Sequence, residues 1–106
     1  MPDSVSRSSL VTISNSQGLH MRPAYLFAET AAKFESSIEL IKEDIRIDGK
    51  SVLSILTLGA AQGAQIVIEA VGEDADAAVV ELENLLQSGF PEVQAAKALE
   101  AESDDV

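Results

Sequence analysis

Cysteine and tryptophan are absent from this 106-residue sequence, and it has a single histidine. Without cysteine the chain can form neither disulfides nor thiol-based redox sites, which agrees with an intracellular protein. No apolar run reaches the ~18 residues that a membrane-spanning helix needs, and the opening residues Met1-Pro2-Asp3-Ser4 lack the basic and apolar regions of a signal peptide. We therefore expect a cytoplasmic protein that does not insert into a membrane.

Positive charge is also scarce. Seven Lys and Arg residues stand against eighteen Asp and Glu residues, which gives a net charge of −11 at pH 7. Phosphate polymers repel such a chain, so we expect no nucleic-acid partner. Six of the carboxylates lie near the two ends, so the folded part is less acidic than the total: Asp3, Glu92, Glu100, Glu102, Asp104 and Asp105.

The length and the 46% hydrophobic content predict one folded domain with a single core. We place that domain at residues 9–90. Residues 1–8 are rich in serine and are predicted to be a loose lead-in. Residues 91–106 have an acidic end and no matching apolar stripe, which predicts a frayed or disordered tail.

Apolar patterns of period two and of helical period predict seven elements in the order β-α-β-β-α-β-α. Ser51 and Asp74 are placed as N-caps of the two later helices. This mixture favours an α+β fold, in which helices pack on one face of a four-stranded antiparallel sheet. The predicted strands are residues 10–14, 37–42, 45–48 and 64–71, and the predicted helices are residues 23–34, 52–58 and 75–88.

The stretch Gly18-Leu19-His20-Met21-Arg22-Pro23-Ala24 puts the single histidine at the start of the first helix. Proline is tolerated in a helix only in the first turn, so Pro23 marks a beginning. Free backbone N–H groups and the positive end of the helix dipole converge on His20, a geometry that binds anions. Arg22 adds a fork of donors suited to a phosphoryl oxygen. Because neutral imidazole is nucleophilic, the stretch suggests a histidine that accepts and releases a phosphoryl group.

Other roles for His20 have less support. A lone histidine in a soluble domain is most often a surface or satisfied core residue, but Gly18, Arg22 and Pro23 together favour a site. A metal centre is not expected, because no second histidine, no cysteine and no local group of carboxylates accompanies His20. We also expect no cofactor. A catalytic triad would need a nucleophile that the sequence does not place.

The predicted short helix at residues 52–58 is apolar nearly all round. A helix this short on a small domain can hardly bury every face, so we expect part of it to contact a partner. Met21 and Tyr25 lie on a second face of the first helix. They either form an apolar patch beside His20 or complete the core.

The chain resembles the family of the histidine-containing phosphocarrier protein HPr, of the bacterial sugar phosphotransferase system, over roughly residues 9–90. The motifs that carry the resemblance occur in the family's order and at family-like spacings. They are the stretch from Gly18 to Ala24, Lys50-Ser51 followed by an apolar helix ending at Leu58-Gly59, Gln62-Gly63 before a strand, and Gly72-Glu73-Asp74 before the last helix.

The resemblance implies an HPr-like open-faced β-sandwich with three helices on one face of the sheet. It implies that enzyme I takes a phosphoryl group from phosphoenolpyruvate and transfers it to Nδ1 of His20, that Arg22 stabilises the group, and that enzyme IIA components receive it in sugar uptake. Such a chain is a monomeric, stoichiometric phosphoryl carrier and not an enzyme. The resemblance places the partner surface at Met21, Tyr25, Val52, Leu53 and Leu56.

Two further roles stay open beside sugar transport. The same histidine chemistry fits a regulatory branch of nitrogen or carbon control without transport. In that role, phosphorylation of Ser51 by an HPr kinase/phosphorylase would switch the protein. Ser51 also has a purely structural role as a helix cap. A binding module that kept the fold and lost phosphotransfer is disfavoured by the presence of His20 and Arg22.

Overall fold

The computed structural model describes residues 6–88, which form one four-stranded sheet and three helices. The strands are β1 (Ser6–Thr12), β2 (Ser37–Lys42), β3 (Ile45–Asp48) and β4 (Gln65–Val71), and the helices are α1 (Met21–Ala31), α2 (Val52–Leu58) and α3 (Ala75–Gln87). All neighbouring strands are antiparallel, in the spatial order β1-β4-β2-β3. The predicted α+β class and the order β-α-β-β-α-β-α are confirmed.

One face of the sheet packs against the helices because the strands alternate between apolar and polar side chains. In β4, Ile66 and Ile68 are fully buried, whereas Glu69 lies on the opposite, open face. Phe27 of α1 and Leu82 of α3 are also fully buried and close the core from the helical side. The molecule therefore has one helix-covered face and one open face, as the predicted sandwich requires.

The strand register defines one end of the sheet that we call the site end. β1 finishes there at Thr12, which is paired with Gln65 at the start of β4. The backbone contact continues past this pair, because Ile13 N–H donates to the Ala64 carbonyl and Gly63 N–H donates to the Ile13 carbonyl, each at 2.9 Å. The loop that leads from β1 into α1 thus starts from a fixed position at the site end.

The predicted start of β1 was wrong. The strand begins at Ser6 rather than at Leu10, so residues 6–8 belong to the sheet and are not a loose lead-in. Its first residues are polar, but their backbone pairs with β4 from Ser6 opposite Val71 onward. Ladder hydrogen bonds need no apolar side chain, so the hydrophobic pattern underestimated the strand.

The predicted range of the first helix was shifted. α1 spans Met21–Ala31, so Pro23 is its third residue, still within the first turn where a missing N–H costs nothing. Phe34 lies beyond the end of the helix and packs, half-buried, against the core. The hairpin and α2 have the predicted bounds, whereas the predicted tail at residues 91–106 lies outside the described residues.

Asp74 stands at the N-cap position of α3, but its side chain does not cap that helix. Its carboxylate instead accepts hydrogen bonds from the backbone N–H groups of Glu35 and Ser36, each at 2.9 Å, and from the Ser36 hydroxyl. The Ser36 hydroxyl first, and then the Glu35 N–H, hold the pKa of Asp74 below its ordinary value. This carboxylate fastens the start of α3 to the start of β2, at the end of the sheet away from the site.

We expect Asp74→Asn to destabilise the fold at neutral pH and to matter less in acid. Because the folded-state pKa of Asp74 is lowered, the carboxylate contributes stability above its unfolded pKa of about 3.9, and this contribution is lost as the pH falls through the folded-state pKa. Urea unfolding of parent and variant, from neutral pH down to about pH 2, measures the difference in free energy of unfolding. Glu73→Gln is the matched control. A difference that does not shrink in acid would contradict the assignment.

Candidate functional site

His20 is the N-cap residue of α1. Its backbone is extended, with φ −85° and ψ −166°, and its side chain makes no capping hydrogen bond. The helix begins through the His20 carbonyl, which accepts from the Ala24 N–H at 2.9 Å. The imidazole is half-buried and takes no part in holding the helix, so it is available for chemistry. The predicted location of His20 at a helix start is confirmed.

The first turn of α1 offers backbone donors beside His20. The N–H groups of Met21 and Arg22 have no acceptor within the helix, because each would need a carbonyl four residues earlier. Pro23 has no N–H, and no acidic side chain lies in the first turn to neutralise the helix dipole. Two N–H groups without an acceptor in the helix and a positive dipole end therefore directly follow His20 in the chain, an arrangement that suits a phosphoryl group.

A close backbone contact fixes the loop that carries His20. Gly18 has φ +69°, and a Cβ there would lie 2.8 Å from Ala61 Cα and overlap the Ala60 carbonyl oxygen. Next to it, the Leu19 N–H donates to the Ala60 carbonyl at 2.9 Å, and the Leu19 side chain is buried. Glycine is required at Gly18 both by its left-handed backbone and by the lack of space. The start of α1 is thereby held against the segment that follows α2.

The loop has two further attachments that involve side chains. The Gln62 side-chain amide donates to the Ser14 carbonyl at 3.2 Å. The Ser14 hydroxyl lies 3.5 Å from the Leu86 carbonyl near the end of α3. The sequence motif that contains Gln62 did not indicate this contact. Ser14 and Ala60 were not predicted to hold the loop, because their partners are far away along the chain.

Arg22 lies in the first turn of α1 and is exposed. Within residues 6–88 its guanidinium forms no salt bridge and no side-chain hydrogen bond. The other arginines described in the structure, Arg7 and Arg46, both pair with carboxylates. An arginine left without a counter-charge beside a helix N-terminus is ready to bind an anion.

Several apolar side chains of α1 and α2 are exposed. Met21, Tyr25 and Leu53 expose 61%, 50% and 74% of their surface, large fractions for side chains of this size. Val52 and Leu56 are half-buried on α2, which packs beside α1, while the other apolar residues of α2 face the core. These five residues thus leave apolar surface exposed on two helices that contact each other, and Met21 and Tyr25 do not complete the core.

Ser51 is the N-cap of α2, as predicted. Its hydroxyl accepts a hydrogen bond from the Ser54 N–H at 3.2 Å, and the residue is half-buried. Lys50, just before it, donates to the Phe34 carbonyl at 2.8 Å. The cap follows the end of β3 at Asp48, so it lies away from the site end of the sheet.

Residues 6–88 contain neither a candidate metal centre nor a candidate membrane span. No three His, Cys, Asp or Glu side chains in this range come together in a way that would hold a metal ion. None of the described helices has the length and apolar character needed to cross a bilayer.

The structure is a small α+β domain whose single described histidine starts a helix, and comparison with known proteins gives its family. A sequence profile described as "PTS HPr component phosphorylation site" matches residues 8–88. This match covers most of the chain. The chain belongs to the HPr phosphocarrier family.

Individual relatives agree with the profile. The chain is 34% identical over 82 residues to the phosphocarrier protein HPr of Treponema pallidum, a match that covers 77% of this chain and 93% of that protein. Among solved structures, HPr from Thermoanaerobacter tengcongensis superposes with a TM-score of 0.78 at 38% identity, covering 80% of this chain and 96% of that one. HPr from Bacillus anthracis gives a TM-score of 0.74 at 30% identity, with 77% and 98% covered.

We expect Gly18→Ala to destabilise the chain more than Gly59→Ala does. Both glycines have positive φ, +69° and +66°, so both substitutions incur the left-handed strain of about 1–2 kcal/mol. Only the new methyl group at Gly18 meets other atoms, whereas the one at Gly59 points into open space. Overpacking should therefore add at least about 1 kcal/mol to the loss at Gly18. The free energy of unfolding in urea measures both, and equal losses would mean that the contact with Ala60 does not constrain the loop.

Proposed function

We propose that this chain is a phosphoryl carrier that accepts the group on Nδ1 of His20 from phosphorylated enzyme I and delivers it to enzyme IIA components in sugar uptake. The observation that carries the proposal is the position of His20, at the N-cap of α1 with a side chain that makes no capping bond. Membership of the HPr phosphocarrier family supports the same chemistry.

The transfer is a substitution at phosphorus. The lone pair of Nδ1 of His20 attacks the phosphorus atom, a P–N bond forms, and the donor leaves with the electron pair of the bond that breaks. The N–H groups of Met21 and Arg22 and the Arg22 guanidinium receive the oxygens of a group that carries about two negative charges. Release to an acceptor reverses these steps, so the chain ends each cycle unchanged.

Under this proposal, the chain is a cytoplasmic, monomeric intermediate. Each molecule accepts one phosphoryl group and passes it on, so it is consumed and regenerated stoichiometrically. Donor and acceptor use the same apolar surface of Met21, Tyr25, Val52, Leu53 and Leu56, because both must bring a reacting atom to His20. One surface for two partners means that they bind in turn. Exposed apolar area of this kind, beside a charged group, is typical of a protein interface.

Ser51 is proposed as a second modification site, for an HPr kinase/phosphorylase. Its hydroxyl occupies the N-cap of α2, where backbone donors and the helix dipole would stabilise a phosphate. Val52, Leu53 and Leu56 follow it directly, so a phosphate there would put charge at the border of the docking surface. This control accompanies the carrier role, and no observation favours a purely regulatory protein over a carrier.

Incubation with enzyme I and labelled phosphoenolpyruvate should label the parent chain, and His20→Ala should abolish the label while the melting temperature stays close to that of the parent. The bond should resist base and break in acid, as expected of a phosphoramidate.

Arg22→Ala should slow labelling by about 10- to 100-fold, since a charge-assisted contact is worth about 1.5–3 kcal/mol. Arg22→Lys is the matched control, which keeps the charge and loses the planar fork. Label that persists in His20→Ala would refute the assignment.

Ser51→Asp should keep the stability of α2 and reduce labelling of His20 by enzyme I several-fold. An acidic residue at a helix N-terminus is favourable, whereas a charge beside an apolar docking surface is not. Ser51→Ala should do the opposite, with a loss of roughly 1 kcal/mol in unfolding free energy and normal labelling. Labelling rates and urea unfolding curves of the two variants test this pair. If Ser51→Asp is labelled as fast as the parent, Ser51 has only its capping role.

A further inference from the structure

The exposed residues of α1 lie on one side of the helix. Four residues of α1 are exposed, namely Met21, Arg22, Tyr25 and Glu29, and the others are buried or half-buried. Residues four positions apart lie above one another on a helix, so Met21, Tyr25 and Glu29 form a single row that leads away from His20. Glu29 ends this row, about 12 Å along the helix axis from Met21. A partner that covers Met21 and Tyr25 therefore also reaches Glu29.

Glu29 is a charged residue on a pair of helices that carry little charge. The sequence of α2 contains no charged residue, and α1 contains only Arg22 and Glu29. Glu29 forms no salt bridge within residues 6–88. Lys33, four residues further on, lies 3.6 Å from the carboxylate of Glu81 instead. In the described part of the chain, the carboxylate of Glu29 therefore lacks a counter-charge.

The side chain of Tyr25 orients this carboxylate. The Tyr25 hydroxyl donates to Oε2 of Glu29 at 3.3 Å, while the tyrosine itself stays exposed. A carboxylate has about four acceptor positions, so one bond from Tyr25 leaves room for a bidentate cation. Tyrosine is also enriched at protein interfaces. The pair thus presents an aromatic ring and an oriented anion on the same exposed side of α1.

The charge of Glu29 opposes the approach of a phosphorylated donor unless the donor compensates for it. Residues 6–88 already contain twelve Asp and Glu residues against six Lys and Arg residues. A carboxylate that loses water in a contact without gaining a cation costs free energy, whereas a cation placed opposite it turns that cost into attraction. Glu29 lies about 14 Å along α1 from His20, further than the Debye length of about 8 Å at physiological salt. Its charge therefore affects docking and not the reacting atoms.

We propose that Glu29, oriented by Tyr25, is the acidic contact of the docking surface and binds a lysine or arginine of enzyme I. The docking surface then has ends of opposite charge, because Arg22 lies about 10 Å along the helix from Glu29. This arrangement fixes the direction in which a partner lies on α1, and it disfavours partners with an acidic residue opposite Glu29. The effect on labelling rests on the proposed carrier function, whereas binding of enzyme I does not require transfer.

Charge reversal at Glu29 tests the contact. Glu29→Lys should raise the Kd of the unphosphorylated chain for enzyme I about five- to tenfold at 0.1 M salt, because an exposed attraction becomes a repulsion. Titration calorimetry measures the Kd, and the ratio to the parent value should approach one at 1 M salt, where the Debye length is about 3 Å. The matched control is Glu73→Lys, which makes the same change of net charge at an exposed carboxylate beside Asp74. Equal Kd values for the two variants would overturn the proposal.

Labelling kinetics locate the effect within the reaction. In steady-state labelling by phosphorylated enzyme I, Glu29→Lys should raise KM by the same factor as the Kd and leave kcat within about twofold of the parent value. The reason is that Glu29 acts on docking, which precedes the attack by His20. A loss confined to kcat, with KM unchanged, would contradict a docking role for Glu29.

A double-mutant cycle tests the contribution of Tyr25. Tyr25→Phe removes only the hydroxyl, and it should raise the Kd about twofold in the parent chain. The same substitution in the Glu29→Gln background should have no effect, because the hydroxyl acts through the carboxylate. An equal effect in both backgrounds would overturn the orienting role of Tyr25.

Binding and labelling together separate this inference from the carrier function. Binding that depends on Glu29, in a chain that enzyme I does not label, would support the contact and refute the carrier function. Normal labelling with equal Kd values for Glu29→Lys and Glu73→Lys would refute the contact alone. A parent chain that neither binds enzyme I nor is labelled by it would refute both.

Discussion

The site depends on one backbone contact, the hydrogen bond from the Leu19 N–H to the Ala60 carbonyl beside the close approach of Gly18. This contact sets where α1 begins, and the position of His20 follows from it. The first turn then supplies hydrogen-bond donors from the backbone alone, because the geometry of a helix leaves the N–H groups of Met21 and Arg22 without an acceptor in the helix. The position of the histidine, the N–H groups of the helix start and an arginine without a salt bridge in residues 6–88 thus follow from one constraint on the loop.

The sheet separates the functions of its two ends. The loop before α1, the segment after α2 and the end of α3 all lie at the site end. Hydrogen bonds that involve Ser14, Gln62 and Ala60 connect them. At the other end, Asp74 fastens α3 to β2 through Ser36, which is nearly fully buried. Stability at that end does not need the residues of the site. The residues around His20 are therefore free to remain exposed, apolar and positively charged, as binding requires.

Local patterns predicted those parts of the fold that local interactions determine. The hairpin at 37–48, the short helix α2 and the Ser51 cap follow from alternation, turn residues and a side chain that reaches three positions ahead. Pro23 likewise located the start of α1 and with it the site. What the sequence could not reveal were contacts between distant positions. The polar start of β1 is a strand only because β4 pairs with it, and Asp74 turned from its own helix to Ser36, 38 residues away.

On the proposed function, the start of α1 holds a phosphoryl group on His20. Backbone amide and phosphorus NMR of the chain, before and after phosphorylation by enzyme I, tests it most directly. We expect a phosphoramidate at Nδ1 of His20, with large downfield shifts of the Met21 and Arg22 amide protons as they donate to the phosphoryl oxygens, and little change at Asp74 or Ser36. A phosphoryl group on Nε2, or amide shifts spread evenly over the domain with none concentrated in the first turn of α1, would contradict it.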